Sequence, residues 1–266
     1  MPLNNMDRIK IENSNNKLSN GEYLIDNFDN LNFETEVNSV CDILIDNINN
    51  KSSLNIVVNE GSNVKISLLA EDEIPSLNIN ISVKKNGNLQ VYFADFAKKT
   101  INLHCVISLE EEGANAYFKL ASLAAHNDLK NIDVSIKHLS PKTYGKVDNY
   151  GVCKDFAKLT LLGTSHILKK SIKSKTQQNA KIMVFDEGCN AIAKPILKID
   201  ENDIEASHAA GVGKLSDEHL FYLTSRGISE NEAKNLITFG YLKPILLGFK
   251  EEEIKEHISS LIEGRI

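Results

Sequence analysis

Short runs with an apolar residue at every second position dominate the chain from about Ser53 to Ile204. This alternation is typical of half-buried β-strands, because successive side chains of a strand point to opposite faces. We therefore predict that this region is all β. The runs are Leu54-Ile56-Val58, Val64-Ile66-Leu68, Leu77-Ile79-Ile81-Val83, Leu89-Val91-Phe93, Ile101-Leu103 and Val134-Ile136.

A turn signal recurs inside this region at a nearly constant spacing. Glycine stands at positions 61, 87, 113 and 188, so the intervals are 26, 26 and 75, and 75 is close to three units of 25. Repeats of about 20 to 50 residues indicate solenoids, and the alternation excludes helical ones. The pattern predicts a parallel β-helix with a glycine at each corner. A meander of hairpins that share a turn type is the alternative.

The hydrophobic period changes to that of helices after Gly213. Ser216 is a predicted N-cap, Gly227 a predicted helix end, and Ser229 with Glu232 a predicted capping box. A last helix carries apolar residues at i, i+4, i+7 and i+8. We expect three helices that cap the open end of the solenoid. The apolar residues of the last helix are Ile254, Ile258, Leu261 and Ile262.

Three regions follow from these patterns. Residues 1–50 are an Asn-rich N-terminal segment with entry strands, 51–213 the β-helix, and 214–266 the helical domain. Thirteen of the first 50 residues are Asn, and we expect this segment to be loosely packed.

Composition and charge narrow the classes of function. The chain is 42% hydrophobic, has a formal net charge of −6 and a pI near 5.7. The hydrophobic fraction argues against overall disorder, and the negative charge disfavours nucleic-acid binding. No run approaches about 20 apolar residues, and no signal-peptide pattern opens the chain. We expect a cytoplasmic protein without a membrane partner.

The sequence lacks the common catalytic and metal motifs. It has no P-loop, no Gly-x-Gly-x-x-Gly, no His-Glu-x-x-His, no Gly-x-Ser-x-Gly and no Cys-x-x-Cys. Ser165 and His166 are adjacent on a predicted strand, so they point to opposite faces and cannot form a nucleophile–base pair. We expect a protein that is not an enzyme, with its four cysteines as free thiols. Cys41 and Cys105 lie in apolar runs and are predicted core residues.

Cys189 and His208 are the two candidate site residues. By the repeat, Cys189 occupies the corner position that Ser62, Asn88 and Ala114 occupy elsewhere, which predicts an accessible thiol. His208 follows nineteen residues later, a little under one turn, so the two neighbourhoods are predicted to stack. Thiolate and imidazole are both ligands for iron in clusters. Chance proximity is the alternative.

The C-terminal third of the chain resembles the SufB/SufD family of iron–sulfur cluster assembly proteins. The resemblance is carried by Ser207-His208-Ala209-Ala210-Gly211-Val212-Gly213-Lys214-Leu215 and by Leu220-Phe221-Tyr222-Leu223-Thr224-Ser225-Arg226-Gly227-Ile228-Ser229. It implies a right-handed parallel β-helix with a C-terminal helical domain. It also implies that the SufC ATPase binds the helices, that the β-helix pairs with a SufB-type subunit or a second copy, and that a transient cluster forms at their interface.

Specific residues carry this resemblance further. His208 matches the interface histidine of the SufD type, and Cys189 matches the interface cysteine of SufB. The chain departs from SufD at Ala206, where cysteine is usual, and from SufB at Ser207 and Ala209, where glutamates are usual. The resemblance implies a SufD-like scaffold, with a purely structural adaptor and a carbohydrate-active β-helix as alternatives. The residues implied for the ATPase contact are Leu220, Phe221, Tyr222, Arg226, Gly227 and Ile228.

Overall fold

Two parallel sheets wind around a common interior, which confirms the predicted parallel β-helix. The structure is a computed structural model that describes residues 8–11, 16–48 and 51–265. Each turn contributes one strand to sheet A, the nine-stranded sheet of odd-numbered strands, and one to sheet B, the eight-stranded sheet of even-numbered strands. The strands are β1 (Ile9–Ile11), β2 (Asn16–Leu18), β3 (Gly21–Asp26), β4 (Asn30–Thr35), β5 (Val40–Asp46), β6 (Lys51–Val58), β7 (Asn63–Ala70), β8 (Ile74–Val83), β9 (Asn88–Asp95), β10 (Thr100–Leu109), β11 (Asn115–Ala124), β12 (Leu129–His138), β13 (Tyr144–Cys153), β14 (Lys158–Ile167), β15 (Ser174–Val184), β16 (Asn190–Ile199) and β17 (Ile204–Lys214).

The hydrophobic core is the interior of the β-helix. Alternate residues of each strand point inward, so the same inward position of successive turns stacks in a column. Ala116, Phe118 and Leu120 of β11, for example, are buried in this way, and the inward residues of both sheets form one cluster. The alternation in the sequence therefore identified the strands because one face of each is buried.

The N-terminal segment already belongs to the β-helix, so the expectation that it is loosely packed is wrong for its described residues. Ile25 and Ile43 are fully buried, and β3 pairs with β5 in the same parallel register as later strands. Residues 1–7, 12–15 and 49–50 lie outside the described residues. Asn27, Asn38 and Asn47 have positive φ angles at corners, which asparagine tolerates. Three of the thirteen asparagines thus serve tight corners.

The glycine repeat marks two different corners. Gly61 and Gly113 have φ angles of 68° and 74° at the corner that leads from sheet B to sheet A, as predicted. At the turn near Gly87 the residue with positive φ is Asn86, at 53°. Gly188 lies at the opposite corner, between β15 and β16, which lead from sheet A to sheet B. The spacing of 75 residues therefore does not continue the same column.

The helical region ends the described chain, and its predicted caps are confirmed. It comprises α1 (Asp217–Ser225), α2 (Glu230–Leu242), a 3-10 helix (Lys243–Gly248) and α3 (Glu252–Glu263). The Ser216 hydroxyl accepts a hydrogen bond from the His219 N–H, and Gly227 has a φ angle of 87°. Ser229 and Glu232 form the capping box.

α2, the 3-10 helix and α3 pack along the outer face of sheet A, so the prediction that the helical region caps the open end is wrong. The Ser67 hydroxyl of β7 donates a hydrogen bond of 2.6 Å to the Gly248 carbonyl. The apolar stripe of α3 is buried on the sheet, and removing this apolar surface from water stabilises the position. The buried residues of this second cluster are Leu44, Leu69, Ala94, Ala121, Leu123 and Val152 from sheet A, Phe96 directly after β9, and Leu242, Ile245, Phe249, Ile254, Ile258 and Ile262 from the helical region.

Candidate functional site

The last turn, formed by β16 and β17, is the open end of the β-helix. Within the described residues, β16 pairs only with β14 and β17 only with β15. Every residue of β17 except Ile204 is exposed, whereas alternate residues of β15 are buried. The open end therefore presents both an unpaired backbone edge on each sheet and the inward side chains of the final turn.

His208 lies at the mouth of the interior. It is the Cα partner of Gln178 in the parallel pair β15–β17, and Gln178 points into the interior. Because directly paired residues of a parallel sheet point to the same side, the imidazole lies on the inner side of the last turn. Ala206 and Ala210 are its inward neighbours on β17. The imidazole thus stands at the open end between two small side chains.

A buried polar group lies directly beneath His208. The Gln178 side chain is 2% exposed, and its Nε2 donates to the Ser165 hydroxyl oxygen at 2.5 Å and to the Ile196 carbonyl at 3.3 Å. The Thr176 hydroxyl also donates to Ser165, at 2.8 Å. The sequence analysis missed this group, although polar residues at inward positions of alternating strands were a visible signal.

Cys189 lies at a different corner from the one predicted. The register pairs Lys158 with Asn190, so Cys189 stands beside Ala157, at the corner from sheet A to sheet B. The column of Ser62, Asn88 and Ala114 is at the other corner. The Cys189 thiol is half-buried, packs against the interior cluster and lies 3.7 Å from the Asp155 carbonyl. The prediction of an accessible corner thiol is corrected accordingly.

The structure does not bring Cys189 and His208 together. Lys214 ends β17 beside Val184, at the corner where Cys189 lies. From His208 to Lys214 the strand extends about 20 Å at about 3.3 Å per residue. One cluster of ordinary size cannot take both side chains of the same chain as ligands in this arrangement.

The remaining thiols are poor ligands in the folded chain. Burial raises the pKa of Cys105 to about 12, with a further contribution from Asp133. Burial, followed by the neighbouring Cys189 thiol, raises the pKa of Cys153 to about 12. The pKa of the Cys41 thiol is also raised, mainly by burial. Because the thiolate is the form that binds metal, these three cysteines are structural. Nowhere in the described ranges do three or more His, Cys, Asp or Glu side chains gather in a way that could hold a metal ion.

A second exposed surface lies on α1. Phe221 is 73% and Tyr222 55% exposed, and no residue of α1 is buried. The Arg226 guanidinium stacks over the Tyr222 ring at 4.9 Å from its centroid. Leu220 and Ile228 are half-buried. The predicted ATPase-contact residues therefore lie on α1 and in the turn that follows it, a region that we call the α1 surface.

A helix that crosses a bilayer must be both long and apolar. No helix within residues 8–11, 16–48 and 51–265 is both long and apolar enough to cross one.

Comparison with known proteins gives consistent matches. A family model described as "SUF system FeS cluster assembly, SufBD core domain" matches residues 27–241. The chain is 31% identical over 159 residues to the iron-sulfur cluster assembly protein SufD of Bacillus subtilis, covering 60% of this chain and 36% of that protein. It is 27% identical over 186 residues to SufB of the same organism, covering 69% and 40%. A SufBD family protein of Staphylococcus saprophyticus is 26% identical over 187 residues, with coverage of 69% and 40%. The chain thus matches well under half the length of these relatives.

Proposed function

The chain belongs to the SufBD core family of the SUF system for iron–sulfur cluster assembly, and from this membership we propose that it is a SufD-like scaffold subunit. In this role it pairs through the open end of its β-helix with a SufB-type subunit or a second copy. Its helices bind a SufC-type ATPase, and a transient cluster is assembled at the paired interface. It acts in the cytoplasm and has no catalytic centre of its own.

The observation that carries the proposal is the open end. Unpaired strand edges are templates for pairing with another chain, and natural proteins usually blunt or cover them. Here β17 is an eleven-residue edge strand, and the helices that would have covered it lie on sheet A instead. A partner subunit that docks on this end covers both edges and the inward side chains of the last turn.

The α1 surface supports binding of a second partner. Aromatic residues and arginine dominate the binding energy of protein interfaces, and Phe221 and Tyr222 of α1 and Arg226 at its C-cap are all exposed. Two separate surfaces allow the ATPase and the paired subunit to bind at the same time.

The cluster is the cargo of this interface, and the chain supplies only part of its ligand set. His208 is at the open end, where a partner would meet it, and imidazole is a competent iron ligand. Cys189 remains a second candidate, but its half-burial and the distance of about 20 Å along β17 from His208 to Lys214 make it a ligand only for a different site or after rearrangement. A cluster that needs four ligands must then draw most of them from the partner.

The test begins with co-expression of the chain with a SufC-type ATPase and a SufB-type subunit, followed by size-exclusion chromatography with mass determination. Ala210→Arg, at an inward position of β17, is expected to abolish pairing while ATPase binding remains. Ala209→Arg, on the outward side of the same strand, is the matched control and is expected to pair normally. Tyr222→Ala is expected to lose the ATPase and keep the pair. Pairing that survives Ala210→Arg would contradict the proposed interface.

Cluster reconstitution with iron and sulfide then separates a scaffold from an adaptor. His208→Ala is expected to lower bound iron and sulfide while the complex stays intact. Cys189→Ser is expected to retain most of the cluster, because the Cys189 thiol is far from His208 at the open end. If neither variant changes the cluster content of an intact complex, the chain is a structural adaptor without ligands.

A further inference from the structure

Two cysteines meet at the corner that precedes β16. Cys153 ends β13, and its thiol donates a hydrogen bond of 3.3 Å to the Ala157 carbonyl. Cys189 stands beside Ala157 in the next turn, because the register pairs the residues that follow them, Lys158 and Asn190. The Asn190 N–H donates to the same Ala157 carbonyl at 3.0 Å. Ala157 is therefore the point at which the two cysteines approach each other.

The two thiols are in direct contact. The Cys153 and Cys189 sulfur atoms lie within hydrogen-bonding range of each other, and Cys189 packs against the interior cluster to which Cys153 belongs. The Cys189 sulfur is also 3.7 Å from the Asp155 carbonyl. Cys41 of β5 and Cys105 of β10 lie in earlier turns. The four free thiols of the chain thus include one neighbouring pair, formed across two successive turns.

Access to water differs between the two thiols. Cys153 is fully buried, whereas Cys189 is half-buried and follows exposed corner residues. A small oxidant therefore reaches Cys189 from solvent, and Cys153 is the neighbour that can trap the oxidised product. Burial disfavours the two charged thiolates that a bound metal ion would require, whereas a disulfide is neutral. The chemistry that fits this corner is therefore oxidation. The exposed corner residues are Asp186, Glu187 and Gly188.

The backbone of the outer corner has freedom to bring the sulfur atoms closer. The register pairs Cys153 with Val184 but Lys158 with Asn190, so the corner before β16 contains one residue more than the corner beneath it. A disulfide needs its two Cβ atoms about 4 Å apart. A shift of this longer, exposed corner can supply that approach without disturbing the strands on either side.

We propose that Cys153 and Cys189 form a reversible disulfide when a hydroperoxide oxidises them. The Cys189 thiolate attacks one peroxide oxygen, the O–O bond breaks, and Cys189 becomes a sulfenic acid. The other oxygen takes up the thiol proton and leaves as an alcohol, or as water when the oxidant is hydrogen peroxide. The Cys153 sulfur then attacks the Cys189 sulfur, and the sulfenic oxygen leaves as water with the Cys153 proton. Two electrons pass from the thiols to the peroxide.

Contact between the thiols makes the second step feasible in a buried place. Burial slows the reaction of Cys153 with reagents from solvent, but a group held next to its target acts at a high effective concentration. Exchange with a small thiol reverses the disulfide. In the oxidised chain, β13 is covalently joined to the corner before β16, and the Cys189 thiol is no longer free. This proposal does not depend on the proposed function.

The test uses the full-length chain and hydrogen peroxide as the oxidant. The reduced chain is treated at neutral pH without denaturant, remaining thiols are blocked, and the products are analysed by mass spectrometry before and after reduction. The mass of the intact chain is expected to fall by that of two hydrogen atoms. Trypsin should then release peptide 147–154 joined to peptide 182–198, and reduction should separate them. Circular dichroism before and after oxidation shows that the fold is retained.

Two variants identify the roles of the cysteines. Cys153→Ala removes the trapping thiol and is expected to raise the amount of sulfenic acid captured on Cys189 by dimedone about tenfold or more. Cys105→Ala, at a buried thiol of an earlier turn, is the matched control and should leave the yield of the linked peptides unchanged. The proposal is overturned if peroxide leaves both thiols reduced or if Cys189 pairs with another cysteine. Equal capture of sulfenic acid in the parent chain and Cys153→Ala also overturns it.

Discussion

A buried ion pair inside the β-helix gives a direct measure of how the interior tolerates charge. Lys130 of β12 and Asp95 of β9 both point inward, are fully buried and lie 2.7 Å apart. Asp95 also accepts hydrogen bonds from the Ser122 hydroxyl at 2.5 Å and the Ala97 N–H at 3.3 Å. Burial lowers the pKa of Lys130, and the charge of Asp95 opposes that shift. Removal of either partner would therefore leave the other ion buried without a counter-ion.

Lys130→Met removes the charge and keeps most of the side-chain volume. Breaking a buried ion pair costs about 3–5 kcal/mol, because the remaining ion stays buried without its partner. Asp95 keeps its hydrogen bonds to Ser122 and Ala97, so we expect a loss near the lower end, about 3 kcal/mol. This is a large part of the 5–15 kcal/mol that stabilises a typical domain. Urea unfolding at pH 7, followed by far-ultraviolet circular dichroism, measures the loss.

Two further variants complete the experiment. Lys137→Met, on the exposed outward side of the same strand, is expected to change the free energy of unfolding by less than about 0.5 kcal/mol. Asp95→Asn combined with Lys130→Met is expected to be more stable than Lys130→Met alone, since no unpaired ion remains. The reasoning is refuted if Lys130→Met loses less than about 1 kcal/mol, or if Lys137→Met loses as much.

Three other predictions follow from burial, charge and close packing. In limited alkylation of the native chain at pH 8, Cys189 is expected to react while Cys153 stays unmodified until the chain unfolds. At this pH the Cys153 pKa of about 12 leaves about one thiolate in ten thousand. Equal labelling of the two cysteines in peptide mass spectrometry would contradict this prediction. Burial raises the pKa of Asp46 to about 6 in the folded state, so the folded state holds this proton more tightly than the unfolded chain, and the free energy of unfolding falls as pH rises from about 4 to about 6. In urea titrations at these two pH values, Asp46→Asn should remove up to about 3 kcal/mol of this decrease. An unchanged dependence of stability on pH would refute the assignment. Gly248→Ala drives a methyl group into the Tyr92 ring of sheet A and should lower the free energy of unfolding by about 1–3 kcal/mol. Gly240→Ala, in open space within α2, should raise it by up to about 1 kcal/mol. Equal melting temperatures for the two variants would contradict this packing.

The architecture could be predicted from local sequence because each strand has one buried face. The alternation Val64-Ile66-Leu68 predicts which side of β7 is buried, and this prediction needs no information about the other strands. The helix caps at Ser216 and Ser229 are local in the same sense, since each cap forms with residues a few positions away. Both kinds of prediction were confirmed.

The positions of the candidate site residues depend on information that is not local. A β-helix with two strands per turn has two corners, and both use residues with positive φ angles. Gly188 matches Gly61 in type, yet it belongs to the other corner, because the turns lengthen along the chain and shift the register. Cys189 was therefore placed on the wrong column. The packing of the helices on sheet A could not be predicted for the same reason, because it depends on outward residues from many strands at once.

The change in the character of the interior along its axis supports the proposed pairing through the open end. In the middle of the β-helix the inward columns hold mostly large apolar side chains such as Phe93 and Phe118, apart from the Asp95–Lys130 ion pair. Towards the last turn they hold Ser165, Gln178 and His208 instead. Polar groups inside a core are costly unless each finds a partner, and an isolated solenoid would be more stable with leucine at these positions. A polar interior that ends in an uncovered histidine is therefore a cost to folding that a second subunit, and the cargo between the two, can offset.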